Sequence, residues 1–317
     1  PLTLEFHGGR LVLGGFTTVP YRLNASEVFR YEVFTVLNKG MDNEAFVSNI
    51  IEGGQLNQIN WVSSLGKLIV GTVGGIHILP HNEELLTPAN SKSRAIERIG
   101  TAFIEPALHG RTVFFVDNSR TQLYALTYDE LQGYNMVNVS SKVENIFTSD
   151  KLKAVCFQQG AKVTFGGERH QILWCLTDAG DVYGLSWEMP NDFLAWHHHE
   201  FGGIVRGLAS LPNEGGDRLY LLIERTMGTI TRFYVELLEP NCFADCSAVG
   251  DTKTGAQAAG TQMSLHAQLA NLGITDSIHA WVYRTQDGIT APYPITNEPV
   301  HCTAGHKWLL PEAYTFT

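Results

Sequence analysis

The residues best suited to chemistry are few. His197-His198-His199 looks like a metal tract, yet side chains alternate along a strand, so only His197 and His199 can share one side. Packing within a strand accounts for all three. Cys242-Phe-Ala-Asp-Cys246 offers two thiols where zinc takes about four ligands, and no second pair stands at finger spacing. Carboxylates for acid/base work are Asp42, Glu44, Asp178, Asp181, Glu200 and Asp217. Glycoside hydrolysis needs two of them converging on one bond. Asp178, Asp181 and Asp217 stand in glycine-containing turns, where aspartate bonds its own backbone. No GxSxG elbow, P-loop, HExxH or catalytic Cys/His context is present. The doublets Gly8-Gly9, Gly14-Gly15, Gly53-Gly54, Gly74-Gly75 and Gly215-Gly216 read as tight β turns. Trp61, Trp174, Trp187 and Trp196 lie in or beside strand runs, as packing residues rather than sugar platforms. No catalytic, cofactor-binding or metal residue is assigned, and no cofactor is expected.

The elements that would carry these groups are strands. Residues 171–203 hold two alternating apolar runs, 172–177 and 182–187, separated by Asp178-Ala-Gly-Asp181, the signature of a β-hairpin. A third run at 195–199 and a fourth at 204–210 complete a four-stranded meander in this reading. The pattern recurs. Apolar runs open at Arg10, Lys67, Arg111, Gln171 and Arg218, irregularly spaced but near the propeller blade period of about 40–50 residues. Four of them pair with a second run after a turn, at 75–80, 122–128, 182–187 and 229–237. The predicted fold is all-β, a β-propeller of at least five meander-like blades with an appended C-terminal β element. Leu68, Val70, Phe115, Leu173, Leu185, Leu219 and Leu221 are its predicted core.

Composition sets the bounds. The 317 residues are 44% hydrophobic and 17% charged, enough for one large core or two smaller ones. Five scattered cysteines, Cys156, Cys175, Cys242, Cys246 and Cys302, make no disulfide scaffold. No apolar run is long enough to span a bilayer, and no secretory signal opens the sequence, which begins at Pro1 and reads as processed or a fragment. A formal net charge of −10 argues against gripping nucleic acid by its phosphates. It suits a surface that DNA passes without sticking.

Between the runs, residues 24–34 allow a short helix capped by Ser26 or an irregular turn. Residues 81–98 read as a projecting polar loop and 129–142 as a break. After Glu239 the chain becomes rich in Ala, Gly, Ser and Thr, which divides it into a propeller at 1–239 and a linker with an appended β-rich segment at 240–317.

The order Gly9-Arg-Leu-Val-Leu13, Pro20, Ser26, Tyr31, Phe34, Asn57-Gln-Ile-Asn-Trp61, Leu68-Ile-Val-Gly-Thr-Val-Gly-Gly75, the run at 123–128, Thr177-Asp-Ala-Gly180, Ala195-Trp196, Gly216-Asp-Arg-Leu-Tyr220 and Glu224-Arg225 resembles the tail nozzle, or tubular-tail, proteins of short-tailed bacteriophages. It departs at Ile76-His77, where the pattern carries an acid and an aromatic, and at Asn145-Ile146, where it carries a histidine. The resemblance implies a non-enzymatic virion protein of the tail. Identical subunits would form a six-fold ring around the DNA exit channel, below a tail adaptor protein, with tail fibres docking on loops. Such a ring would hold and then release the genome, and DNA would pass its lumen without sequence-specific binding. Two other classes stand beside it: a propeller glycosidase or lyase acting on glycans, marked by carboxylates converging at the propeller mouth, and a propeller that only binds proteins.

Overall fold

The computed structural model describes residues 1–37, 39–52, 55–80, 85–129, 133–162, 169–188, 193–214, 216–227 and 230–238, and short strands between 255 and 316. Two compact units are formed, Pro1–Glu224 with Phe233–Leu238, and Arg225–Arg232 with Glu239–Thr317.

The first unit is a succession of antiparallel meanders. Blade 1 is β1 (Thr3–His7), β2 (Arg10–Gly14), β3 (Arg22–Ala25) and β4 (Phe46–Asn49), paired in that order. A small hairpin, β5 (Ile51–Glu52) and β6 (Gln55–Leu56), leads to blade 2, which is β7 (Ile59–Leu65), β8 (Lys67–Thr72), β9 (Ile76–Leu79) and β10 (Arg94–Glu97). Blade 3 is β11 (Ala107–His109), β12 (Thr112–Val116), β13 (Leu123–Asp129) and β14 (Gly133–Asn138). Blade 4 is β15 (Leu152–Lys162), β16 (Arg169–Thr177), β17 (Val182–Glu188) and β18 (Phe193–His199). Blade 5 has three strands, β19 (Ile204–Leu211), β20 (Arg218–Met227) and β21 (Ile230–Leu237). The fold is an all-β propeller, as the recurring runs predict. Its first strands lie side by side, β1 by β7, β11 by β15 and β15 by β19, and form the inner layer.

Each repeated run is the second strand of a blade, and in β8, β12 and β16 its two faces serve two cores. In β8, Leu68 and Val70 pack with Val12 and Leu23 of blade 1, while Ile69 packs with Val113 and Phe115 of blade 3. Phe114 and Val116 turn the other way, onto Leu173 and Cys175. Trp174 and Leu176 pack with Leu219 and Leu221. A strand buried on both faces loses alternation and reads as a nearly continuous apolar run. All seven residues predicted as core are buried.

Several expectations are corrected. The strand at 204–210 opens blade 5 rather than closing the preceding meander, which instead begins with β15. Of the helix and the irregular turn open to residues 24–34, the turn is formed: Ser26 Oγ accepts from Leu11 N at 2.9 Å, and Glu27 bridges to Arg30. The polar stretches at 81–98 and 129–142 each hide a fourth strand, β10 and β14, whose outer position leaves them too exposed to show an apolar pattern. Residues 144–149 are helical.

The described strands of the second unit pair in nested order. Gly255–Gln257 pairs with Tyr314–Phe316, Gln262–Ser264 with Lys307–Leu309, Ser277–Ile278 with Val300–His301, and Trp281–Gln286 with Ile289–Pro294.

Candidate functional site

The carboxylates singled out in the sequence do not converge; each is tied into local structure or solvent. Asp178 forms an ion pair with Arg120. Asp181 closes the β16–β17 turn, its N–H donating to Thr177 Oγ1 at 3.1 Å. The Asp217 carboxylate accepts from Gln159 N at 2.9 Å and joins blade 5 to blade 4. Glu44 is buried and accepts from Lys39 N through both oxygens. Asp42 contributes its carbonyl to Arg10. Glu200 is exposed, 3.8 Å from His198 Nδ1. The Cys242–Cys246 pair lies outside the described residues. Cys156 and Cys175 are free thiols, and burial pushes Cys156 up to about 12 and Cys175 higher still, so neither is a ready nucleophile.

The histidine run behaves as strand geometry requires. His198 turns to one side of blade 4 and stacks on Tyr183, with ring centroids 4.7 Å apart. His197 and His199 share the other side, with Nδ1 of the first 2.6 Å from Nε2 of the second. His197 Nε2 lies 3.3 Å from Ser186 Oγ. Both rings meet Trp174 edge-on, at 5.8 and 4.8 Å. A glycine, Gly184, faces His197 because any Cβ there would run into the imidazole. Burial holds His197 below its ordinary value; burial and then the neighbouring His197 and His198 bring His199 down to about 4. Both rings are therefore neutral near pH 7. Among the described residues no cluster of three or more His, Cys, Asp or Glu offers a metal site.

A second group of titratable side chains gathers on the inner layer, where no sequence motif pointed. Glu5 and His7 lie two apart in β1 and so share a face. His7 is buried, with Nδ1 2.8 Å from Ser64 Oγ in β7, and desolvation lowers its pKa. From blade 3 come Glu105, just before β11, and His109 at its end. His109 stacks on Phe157 at 4.2 Å, and burial, opposed by a hydrogen bond to Gln171, lowers its pKa. Burial first, and then the Glu5 carboxylate, raise the Glu105 carboxyl above its ordinary value. Glu105 stays open to solvent, and the two carboxylates, from blades 1 and 3, act on one another. Phe103, 58% exposed, supplies an aromatic surface two residues away. The sequence held no local signal for this pairing, since about a hundred positions separate Glu5 from Glu105.

A polar groove of about 330 Å³ runs between blades 4 and 5, lined by Gln159, Gln171, Asn213, Glu214 and Asp217. A hydrogen-bonded relay also ends on Asp217: Trp174 Nε1 donates to Gln158 Oε1 and Gln158 Nε2 to Asp217 O, each at 2.8 Å.

No protein-family model and no curated protein matches the chain. Solved structures do. Hsv2 of Kluyveromyces lactis matches with a TM-score of 0.30 at 9% identity, over 62% of this chain and 60% of that one. A protein from Lactobacillus plantarum matches with a TM-score of 0.36 at 11% identity, over 92% of this chain and 82% of its own. A candidate 6-phosphogluconolactonase from Bacteroides uniformis matches with a TM-score of 0.38 at 11% identity, over 98% and 88%. At such identities the likeness concerns fold alone. None of the three is a phage tail nozzle, and they are proteins of cellular organisms, so the expectations of a virion tail location, a nozzle role and a non-enzymatic chain are withdrawn. The collinear order that suggested a nozzle is accounted for by what its motifs are here: strand runs and β turns that any propeller of this blade length needs.

Proposed function

We propose that the chain is a propeller hydrolase acting on a carbohydrate, with Glu105 as proton donor and Glu5 as its partner carboxylate. The observation that carries this reading is the Glu5–Glu105 pair itself. Two carboxyl groups in one another's field, one with its pKa raised, are the kind of pair that glycosidic cleavage uses. In this reading the Glu105 carboxyl donates its proton to the leaving oxygen as the bond breaks, the Glu5 carboxylate faces the developing positive charge at the anomeric carbon, and water adds to that carbon, its proton returning to Glu105. His7 and His109, both biased toward the neutral form, border the pair without adding positive charge that would drive Glu105 to ionise.

The test is turnover of a panel of aryl glycosides and a sugar δ-lactone by the full chain, beside its Glu105→Gln and Glu5→Gln variants. Glu105→Gln should lower kcat by about 10²–10⁴-fold. Glu5→Gln should also move the alkaline limb of the pH–rate profile to lower pH, because the carboxylate that raises the Glu105 pKa is gone. No turnover across the panel, or turnover indifferent to both changes, overturns the reading.

A further inference from the structure

One side of blade 4 carries an imidazole pair for which the proposed hydrolase has no use. His197 and His199 stand two apart in β18, the outer strand of the blade, while Glu5 and Glu105 belong to the inner layer. Their facing nitrogens, His197 Nδ1 and His199 Nε2, are 2.6 Å apart, so a single hydrogen lies between two ring nitrogens. Packing sets this approach. The residue across from His197 in β17 is Gly184, which leaves room for the ring, and Trp174 meets both imidazoles edge-on. The far nitrogen of His197, Nε2, lies 3.3 Å from Ser186 Oγ. Both rings are half-buried, so solvent reaches their edges. His198 points to the other side of the sheet, onto Tyr183 and toward Glu200.

We propose that His197 Nδ1 and His199 Nε2 chelate a divalent transition-metal cation of the zinc, nickel and copper class, with water in its remaining positions. Imidazole nitrogen suits these metals, whereas magnesium and calcium take oxygen. Metal–nitrogen bonds of about 2.0–2.1 Å at a tetrahedral angle hold two nitrogens about 3.3 Å apart, so a small rotation of the rings admits the ion. The hydrogen now held between the rings moves to the far nitrogen of its own ring, which leaves both imidazoles neutral and both facing lone pairs on the metal. Ser186 Oγ then accepts from His197 Nε2, the outer hydrogen bond that fixes the tautomer of a ligating imidazole. With two protein nitrogens the site is open, and it takes up and releases its ion without unfolding the blade.

Isothermal titration of the full chain with Zn²⁺ tests this, beside His197→Gln, His199→Gln and His198→Gln. Wild type and His198→Gln should bind one equivalent more than His197→Gln or His199→Gln. Comparison with variants that keep every thiol cancels any zinc taken by Cys242 and Cys246. Ni²⁺, which is paramagnetic and would sit beside Trp174, should quench part of the tryptophan fluorescence, and a chelator should restore it. That quenching should vanish in His197→Gln and in His199→Gln and persist in His198→Gln. Circular dichroism checks that each variant keeps its β signal, and if His197→Gln does not fold, His199→Gln carries the comparison. Equal zinc uptake by wild type and the His199→Gln variant, loss of the same equivalent in His198→Gln, or quenching indifferent to all three changes would each overturn the proposal. Glycoside turnover enters none of these readouts, so the hydrolase reading stands or falls separately.

Discussion

Arg10 is the side chain with the largest local responsibility. Its guanidinium is buried and donates to the carbonyls of Ser26, Asp42 and Glu44, at 2.6, 2.5 and 2.7 Å, with the Phe46 ring 5.3 Å away. Desolvation lowers its pKa, while Asp42 and Glu27 act in the opposite sense. One cation thus pins the long β3–β4 connection onto β2. Arg10→Met keeps the apolar stem but leaves buried carbonyls unpaired, and should cost about 2–4 kcal/mol in denaturant unfolding. His199 makes the opposite kind of contribution. Its folded pKa of about 4 lies below its ordinary 6.5, so on acidification the unfolded chain takes up the proton first. Stability should therefore fall as pH drops from about 6.5 to about 4, and His199→Gln should flatten that slope in thermal melts.

At the scale of elements, β17 and β18 are held in register by the fit of His197 over Gly184. Gly184→Ala puts a methyl group where the imidazole lies, and overpacking of this kind costs about 1–3 kcal/mol. Reduced thermal stability with displaced histidine resonances in NMR is the expected outcome. The same elements explain what could be read from the chain beforehand. β8, β12 and β16 lie between two cores, so their residues are apolar on both faces and stand out as runs. β10 and β14 lie at the outer edge with little burial, and their Arg-Ala-Ile-Glu and Gly-Tyr-Asn-Met-Val-Asn sequences merge with loops. Taking residues 204–210 for the end of a blade followed from the same bias, since the apolar second strand was read as the start of each repeat. The Glu5–Glu105 pair was beyond reach for a different reason: it depends on non-adjacent blades converging on the inner layer, which no spacing along the sequence encodes.

For the whole molecule, the cores are shared rather than owned. The largest lies between blades 3 and 4, where Phe114, Leu173 and Leu185 meet Phe147 of the short helix and Trp187. Phe114→Ala should cost about 3–5 kcal/mol, because the cavity opens in both blades at once. A prolonged polar relay, Trp174 to Gln158 to the Asp217 carbonyl, crosses the next boundary. Gln158→Leu would orphan the indole N–H and should weaken the blade 4–5 boundary by about 1–3 kcal/mol.

The alternation of faces in the second strands makes the blades couple only to their neighbours, in the manner of a one-dimensional array. Opening should then travel inward from the ends. Amide hydrogens of β12 and β16, each clamped by two cores, should exchange slowest, and those of β2 and β20, each clamped by one, much faster. The first unit would fray at its first and last blades and hold firm in the middle.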